Sequence, residues 1–362
     1  MYKLNEILNK IIEGDTVEKL KLIPSNSIDL IFADPPYFMQ TEGVLLRTEG
    51  TPFDGVDDKW DKFDDYEQYD DFCKQWLTEC HRILKKDGCI WVIGAFQNIY
   101  RIGYLMQNIG FWILNDVVWS KSNPVPNFKG TRFTNSNETM LWCTKNKDSR
   151  YTFNYKTMKH LNNDKQMKSV WNIGICIGSE RIKNDEGKKA HNTQKPEELL
   201  FNVIISSSKH GDIVCDPFMG SGTTGAVAKK LGRNFIGIER EKDYVQLANH
   251  RIDKVIPEEN DVVTNTFDVK PPKVSMKELV IKGYLKAGDI LYDKKKIYQA
   301  TLLDNGHLTY KDLNGSIHKI SAHLLKLTNN NGWDYWYIER GNDLISIDYI
   351  RNEYRAKELS IE

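Results

Sequence analysis

Chemistry is first suggested by the tetrad Asp34-Pro35-Pro36-Tyr37, which follows an apolar run, Ile28-Asp-Leu-Ile-Phe-Ala33, that reads as a buried strand. An exocyclic amino group on a heteroaromatic ring is a poor nucleophile, because its lone pair is delocalised. The Asp34 carboxylate and the Pro35 carbonyl could each accept one amino hydrogen, with the two prolines stiffening the turn by fixing φ. Acceptors set off the ring plane would pull nitrogen toward tetrahedral geometry and aim its lone pair at an electrophile. Tyr37 could stack on the ring, a contact worth ~1–3 kcal/mol in single-stranded nucleic-acid sites. Asp and Pro also end strands routinely, so the tetrad needs a partner to carry the reading.

A partner lies far downstream. The strand-like Asp212–Asp216 runs into Pro217-Phe218-Met219-Gly220-Ser221-Gly222-Thr223-Thr224-Gly225 and then a helix. Glycines in that position let a ligand approach the backbone at a helix N-terminus. Glu239 ends the next strand, where a carboxylate can accept both hydroxyls of a ribose. A nicotinamide dinucleotide is one reading and a glycine turn without ligand is another. Asp216 at the strand tip would repel a pyrophosphate but attract an ammonium. The loop also lacks a phosphate-gripping lysine, since Thr223 and Thr224 follow the glycines. S-adenosylmethionine suits it better than a phosphorylated cofactor.

Several elements must position these groups. Residues 66–86 carry Phe72, Trp76, Cys80, Ile83 and Leu84 at helical spacing, with Gly88 where a stop is expected. Cys89–Ile93 reads as a strand, 97–109 as a helix, Phe111–Trp119 as a strand, and Pro196 opens an apolar helix. Thr223–Leu231 is a helix and Asn234–Glu239 a strand. This alternation predicts an α/β fold, a mostly parallel Rossmann-like sheet with helices on both faces. The first residues, Met1–Glu13, read as a charged helix rather than a signal peptide. The Pro-rich polar stretch 259–273 reads as a linker between a domain at 1–258 and a small α+β domain at 274–362, with a hairpin turn at Asp304-Asn-Gly306.

The motifs resemble those of the DNA amino-methyltransferases of the permuted class, in which Asp-Pro-Pro-Tyr precedes the cofactor loop. Within that class the chain is similar to the N6-adenine enzymes that methylate GANTC, including the cell-cycle-regulated bacterial enzyme. The resemblance spans essentially the whole chain. It implies that Asp34-Pro35-Pro36-Tyr37 is catalytic and that Asp216, Phe218, Gly220, Ser221, Gly222, Thr223 and Thr224 form the S-adenosylmethionine loop. Met219 departs from relatives that carry an aromatic or small residue there. His191-Asn-Thr193-Gln194-Lys195-Pro196 matches the segment beside the cofactor's methionine part, Glu239 the ribose-binding acid, and Asp15 the position that holds the adenine amino group. On its residues alone, Asp15 is equally an ordinary turn residue.

Residues 120–170 hold ten Lys/Arg against three Asp/Glu, the local surplus that phosphate contacts need. The resemblance implies that the target-recognition region lies at 120–185, with Lys121, Asn123, Asn127, Lys129 and Arg132 contacting double-stranded DNA. Residues 38–58 read as a lid near an extruded base or, nearly as well, as a disordered surface loop, and the acidic run Asp54–Asp71 as a solvated helix entry without a role. Asn329–Tyr337 reads as a strand packing a small core, with a nucleic-acid stacking platform as the alternative. An N4-cytosine methyltransferase would use the same geometry, but Asp rather than Ser before Pro-Pro tilts toward adenine; a catalytically idle DNA-binding module is a rival of another class.

Composition bounds all of this. Lys+Arg and Asp+Glu balance at 50 each in 362 residues, which excludes a uniformly basic coat. The six cysteines form no C-x-x-C pair, which argues against a zinc site and fits a reducing cytosol. No apolar run approaches the ~18–20 residues of a membrane span, so a cytoplasmic protein is expected. A companion restriction endonuclease and a homodimer are both compatible with the sequence.

Overall fold

The computed structural model describes residues 1–39, 45–46, 52–53, 61–127, 130–182, 187, 193–341 and 343–359. Two compact units emerge, Met1–Asp268 and Val269–Glu362. The first contains, in chain order, α1 (Leu4–Ile7), β1 (Lys10–Glu13), α2 (Thr16–Leu20), β2 (Ile28–Ala33), β3 (Leu45–Leu46), β4 (Pro52–Phe53), α3 (Tyr66–Ile83), β5 (Leu84–Gly94), α4 (Ile99–Ile109), β6 (Trp112–Lys121), β7 (Asn137–Thr144), α5 (Tyr155–Leu161), β8 (Val170–Ile173), α6 (Glu197–Ser207), β9 (Ile213–Asp216), α7 (Thr223–Lys230), β10 (Asn234–Glu239) and α8 (Lys242–Asp253).

Among the described residues, eight strands form one sheet in the order β1-β10-β9-β2-β5-β7-β6-β8. The pairs from β1 across to β5 are all parallel, and β7 alone is reversed. Side chains alternate between two cores. Ile31, Ala33, Ile90 and Val92 face Leu20, Trp76, Leu77 and Ile102 of the helices α2 to α4. Leu30, Phe32, Cys89 and Trp91 face Leu199, Val203, Val227 and Ala248 of α6 to α8. Burial on both faces explains the continuous apolar run of β2.

Two expectations need correction, at residues 10–13 and at Gly88. Residues 10–13 are a strand, not part of a helix, because pairing Lys10 to Glu13 with Ile236 to Glu239 completes the sheet edge. Gly14-Asp15 therefore follows a strand, and Asp15 caps α2 by accepting from the Glu18 amide. Helix α3 ends at Ile83, and Gly88 lies inside β5 rather than at a helix stop. A Cβ on Gly88 would stand 2.9 Å from the Asp29 carbonyl, at a bulge where β2 and β5 shift register. Within the expected recognition region 120–185, residues 137–144 and 170–173 are strands of the main sheet.

The expected linker also splits. Residues 259–268 pack on the first unit: Val263 is buried, Arg233 donates to its carbonyl and, at 2.5 Å, to Asn265 Oδ1, and Asp268 accepts from the Lys156 and Thr157 amides. A buried guanidinium needs acceptors from every side, and this segment supplies two of them.

The second unit comprises α9 (Met276–Ile281), β11 (Ile290–Asp293), β12 (Gln299–Leu302), β13 (Leu308–Tyr310), β14 (Leu313–Gly315), α10 (Ile317–Leu325), α11 (Gly332–Tyr335), β15 (Trp336–Arg340), β16 (Asp343–Ser346) and α12 (Ile347–Glu358). Its antiparallel strands run β14-β13-β12-β11-β15-β16, with Gly306 at φ +78° in the hairpin turn between β12 and β13. Trp333 and Trp336 are core residues, and the Trp336 indole donates to the Ile317 carbonyl at 3.0 Å. That leaves neither tryptophan as a stacking platform. Among the described residues no helix is long and apolar enough to cross a membrane.

Candidate active site

Four parallel neighbours, β1, β10, β9 and β2, end at one edge of the sheet, and each delivers a carboxylate there. Asp15 follows β1, Glu239 and Asp216 end β10 and β9, and Asp34 follows β2. All four line a single cavity of about 260 Å³. The chain reaches β2 and β9 from opposite halves of the sequence, so this edge is the crevice where open α/β sheets place ligands. Among the sequence-derived candidates, Pro36, Thr193, Lys195, Phe218, Gly220, Ser221, Thr223 and Thr224 also line the cavity.

The acids are held by hydrogen bonds as well as crowded together. Asp216 accepts from the Phe218 amide at 2.9 Å and from Thr224 Oγ1 at 2.5 Å. Burial pushes its carboxyl up to about 7. Glu239 accepts from the Gly220 and Glu241 amides, both at 2.8 Å, and burial raises it too. The Arg240 amide also bonds Glu239, which leaves the carboxylate at least one lone pair for a further donor. Thr16 Oγ1 donates to the Pro217 carbonyl at 2.7 Å and ties the glycine loop to the start of α2. Gly222, at φ +75°, serves packing instead of the cavity, since a Cβ there would stand 2.7 Å from that of Ala248. Met219 fills the space over Gly237, whose Cβ would strike its side chain.

In the segment 191–196, His191 lies outside the described residues. Gln194 turns away from the cavity to bind the Ile182 amide and the Glu180 carbonyl at 3.0 and 2.8 Å. Lys195 points the other way. Its ammonium, 8% exposed, sits 2.6 Å from Asp34 Oδ2.

The turn after β2 is clamped by residues that sequence reasoning missed. Asp61 accepts from three successive amides, those of Tyr37, Phe38 and Met39, at 2.6, 2.7 and 2.9 Å. Phe38 adopts φ +55°, which curls the backbone so that the three N–H groups converge. That strained conformation costs about 1–3 kcal/mol, offset by the bonds to Asp61 and by packing of Phe38 among Phe63, Tyr66 and Tyr69. Tyr69 donates to the Pro36 carbonyl at 2.8 Å and is itself held by Asn98. Asp61 belongs to the acidic run given no role above; its carboxylate is buried rather than solvated. The remainder of the expected lid at 38–58 lies largely outside the described residues.

Glu138 on β7 was missed as well. It accepts from the Tyr37 hydroxyl at 2.9 Å, pairs with Lys121 at 2.8 Å and lies 3.9 Å from Lys195. Burial works against its charge, yet Lys195 and Lys121 hold its carboxyl below the usual range. Asp34 goes the other way: burial outweighs Lys195 and raises it. Burial and the two neighbouring carboxylates push Tyr37 well up, so its hydroxyl keeps its proton. Lys195 lies 5.3 Å from the centre of the Tyr37 ring.

The proposed DNA contacts disperse. Lys121 is consumed by its ion pair with Glu138, where both side chains are only about a tenth exposed. The Asn123 side chain is engaged through Oδ1, which accepts from the Ile175 amide at 2.8 Å. Asn127 sits in a turn whose carbonyl accepts from Gly130, and Lys129 lies outside the described residues. Arg132 is exposed, with its guanidinium over the Phe96 ring.

A Rossmann-like sheet with acids at four neighbouring strand tips and a glycine loop opening α7 is the fold of a nucleoside-cofactor enzyme. The profile described as DNA methylase matches residues 28–250, and the chain belongs to that family. A second profile, Restriction Enzyme Adenine Methylase Associated, matches residues 259–360. The chain is 60% identical over 351 residues to the type II methyltransferase M.HinfI of Haemophilus influenzae, covering 97% of this chain and 98% of the relative. It is 44% identical over 254 residues to the type II methyltransferase M2.LlaDCHI of Lactococcus lactis subsp. cremoris, covering 70% and 91%. The fold is similar to that of the PvuII DNA methyltransferase (cytosine-N4-specific), with a TM-score of 0.52, 21% identity, and 71% and 90% covered.

The cofactor is S-adenosylmethionine, and the cavity suits its chemistry. Acids at the strand tips offer acceptors for hydroxyls and an ammonium, Lys195 and Thr193 offer donors, and Phe32, Phe72, Phe218 and Ile238 supply apolar walls. The nicotinamide reading falls with the family assignment.

Proposed function

We propose that this chain is a site-specific type II methyltransferase acting on adenine N6 in double-stranded DNA, with GANTC as its target. One observation carries the reading: Asp34 lines the same cavity as the glycine loop and the other three strand-tip acids. A base inside a duplex cannot reach that edge, so the target adenine is extruded. Asp34 and the Pro35 carbonyl then accept the two amino hydrogens, and Tyr37 stacks on the base. S-adenosylmethionine, when bound, supplies a methyl group on a sulfonium. The chain's own part is to orient the amino lone pair and to stabilise the positive charge that nitrogen acquires on attack. The proton leaves after attack, since a neutral aromatic amine is too weak an acid to lose it first.

Adenine is supported by Asp34 before the prolines and by the adenine-methylase-associated profile over 259–360. The GANTC target rests on the resemblance seen in the sequence and is compatible with the 60% identity to a type II enzyme over nearly the full length. We assign the catalytic and cofactor roles to the first unit, DNA contact to the exposed part of 122–136 and to residues 269–362, and place the enzyme in the cytoplasm with its DNA. Protection of the site from a cognate restriction endonuclease is the corresponding biological role. The second reading, N4 of cytosine, uses the same acceptors, and the PvuII likeness extends to the fold alone. Transfer of a tritiated methyl group from cofactor to a GANTC duplex, followed by nucleoside analysis, decides between them. Label in N6-methyldeoxyadenosine is expected; label in N4-methyldeoxycytidine, or none, overturns the proposal.

A further inference from the structure

Asp34 cannot serve the target amino group freely while Lys195 holds it. The ammonium lies 2.6 Å from Asp34 Oδ2, both side chains are largely buried, and the amino nitrogen becomes cationic at the same carboxylate. An ammonium left there would oppose that developing charge. Glu138 offers a second seat. Its Oε2 is already 3.9 Å from Lys195 and is fixed by the Tyr37 hydroxyl, while Lys121 anchors Oε1 at 2.8 Å. Lys195 also lies beside the Tyr37 ring, so a shift between the carboxylates would pass along the surface on which the base stacks.

We propose that Lys195 is a movable counter-ion that rests on Asp34 and passes to Glu138 when the target amino group docks, which makes Glu138 a positioning residue for methyl transfer. No covalent bond changes in this step; one ion pair is exchanged for another as the amino hydrogen takes the vacated lone pair. A buried ammonium could not leave Asp34 at all without a second carboxylate to receive it. The inference rests on the reading of Asp34 as the amino-group acceptor.

A double-mutant cycle tests it, in the full-length enzyme, by single-turnover methylation of a GANTC duplex at saturating S-adenosylmethionine. Glu138→Gln should slow transfer by about tenfold or more in the wild-type background but by less than about threefold alongside Lys195→Met, because without the ammonium no second seat is needed. A merely structural Glu138 would carry its cost into both backgrounds. Similar costs in the two backgrounds, or a cost under about tenfold in the wild type, overturn the inference. Should Glu138→Gln fail to fold, Glu138→Asp replaces it under the same criteria, since the shortened carboxylate keeps the charge but cannot reach. Asp34→Ala, run in parallel, separates the two readings. Activity surviving that substitution would sink the assignment of Asp34 itself, whereas an additive cycle with an inactive Asp34→Ala sinks only the counter-ion.

Discussion

The two ends of the cavity are built differently. At the cofactor end, Asp216, Phe218, Gly220 and Thr224 lie within nine residues of chain, and Glu239 ends the next strand. Their bonds are mostly local: Asp216 binds the second and eighth residues after it. At the base end, every important contact is distant. Asp34 meets Lys195 across 161 residues, Tyr37 meets Glu138 across 101, and Asp61 reaches back 24 to the tetrad. A ligand loop can be specified by a contiguous motif because a strand, a turn and a helix N-terminus already form the site. On the proposed reading the turn after β2 must bend an amino group out of plane; such a turn needs rigid support, and that support comes from wherever the fold brings side chains.

The contrast is sharpest for Asp34→Ala, which should abolish methyl transfer while leaving cofactor affinity within a few fold. Retention of more than about a tenth of the rate would imply that the carboxylate contributes less than ~1.4 kcal/mol to the barrier. Asp61→Ala comes next. Three amides would lose charge-assisted bonds worth ~1.5–3 kcal/mol each, so transfer should slow by about a hundredfold with cofactor binding nearly unchanged. If calorimetry shows cofactor binding falling in step with the rate, the two ends are not separable.

At the cofactor end, Glu239→Ala should weaken S-adenosylmethionine binding by about tenfold or more, since it would remove the proposed ribose acceptor and free the Gly220 and Glu241 amides. Unchanged affinity in a titration without DNA would make Glu239 purely structural. For the recognition segment, Arg132→Ala should leave stability alone and flatten the salt dependence of DNA binding by about 0.9 in log–log slope. Lys121→Ala should do the reverse, lowering the melting midpoint by stripping buried Glu138 of its partner. Anisotropy at several salt concentrations, with melting curves, checks both.

The smallest effect concerns pH. Asp216 has a folded pKa of about 7, above its unfolded value, so its contribution to stability is complete below the unfolded value and is lost as pH rises through 7. Asp216→Asn should therefore raise the melting midpoint of the cofactor-free enzyme by a few degrees at pH 8, with a smaller gain at pH 5. An equal gain at both pH values would point to packing rather than charge.

These differences explain what was legible in the chain. The glycine loop, the tetrad and the alternation of buried strands with amphipathic helices are short-range patterns, and the sheet and cofactor loop could be read from them. Single residues whose roles depend on distant partners could not. Asp61 looked like one acid in a solvated run, and only a backbone curled at Phe38 gives it three amides to accept. Lys121 looked like one of ten positive charges awaiting phosphate, until pairing of β7 with β6 set Glu138 opposite Trp119, close to it. Residues 10–13 have helical spacing, but the unpaired edge of β10 outweighs that weak local preference. The sequence by itself determined which chemistry the chain carries, because strand tips and turns are encoded locally. Tertiary structure alone decided which carboxylates and ammonium groups meet in a buried site, where a charge is tolerated only beside its partner.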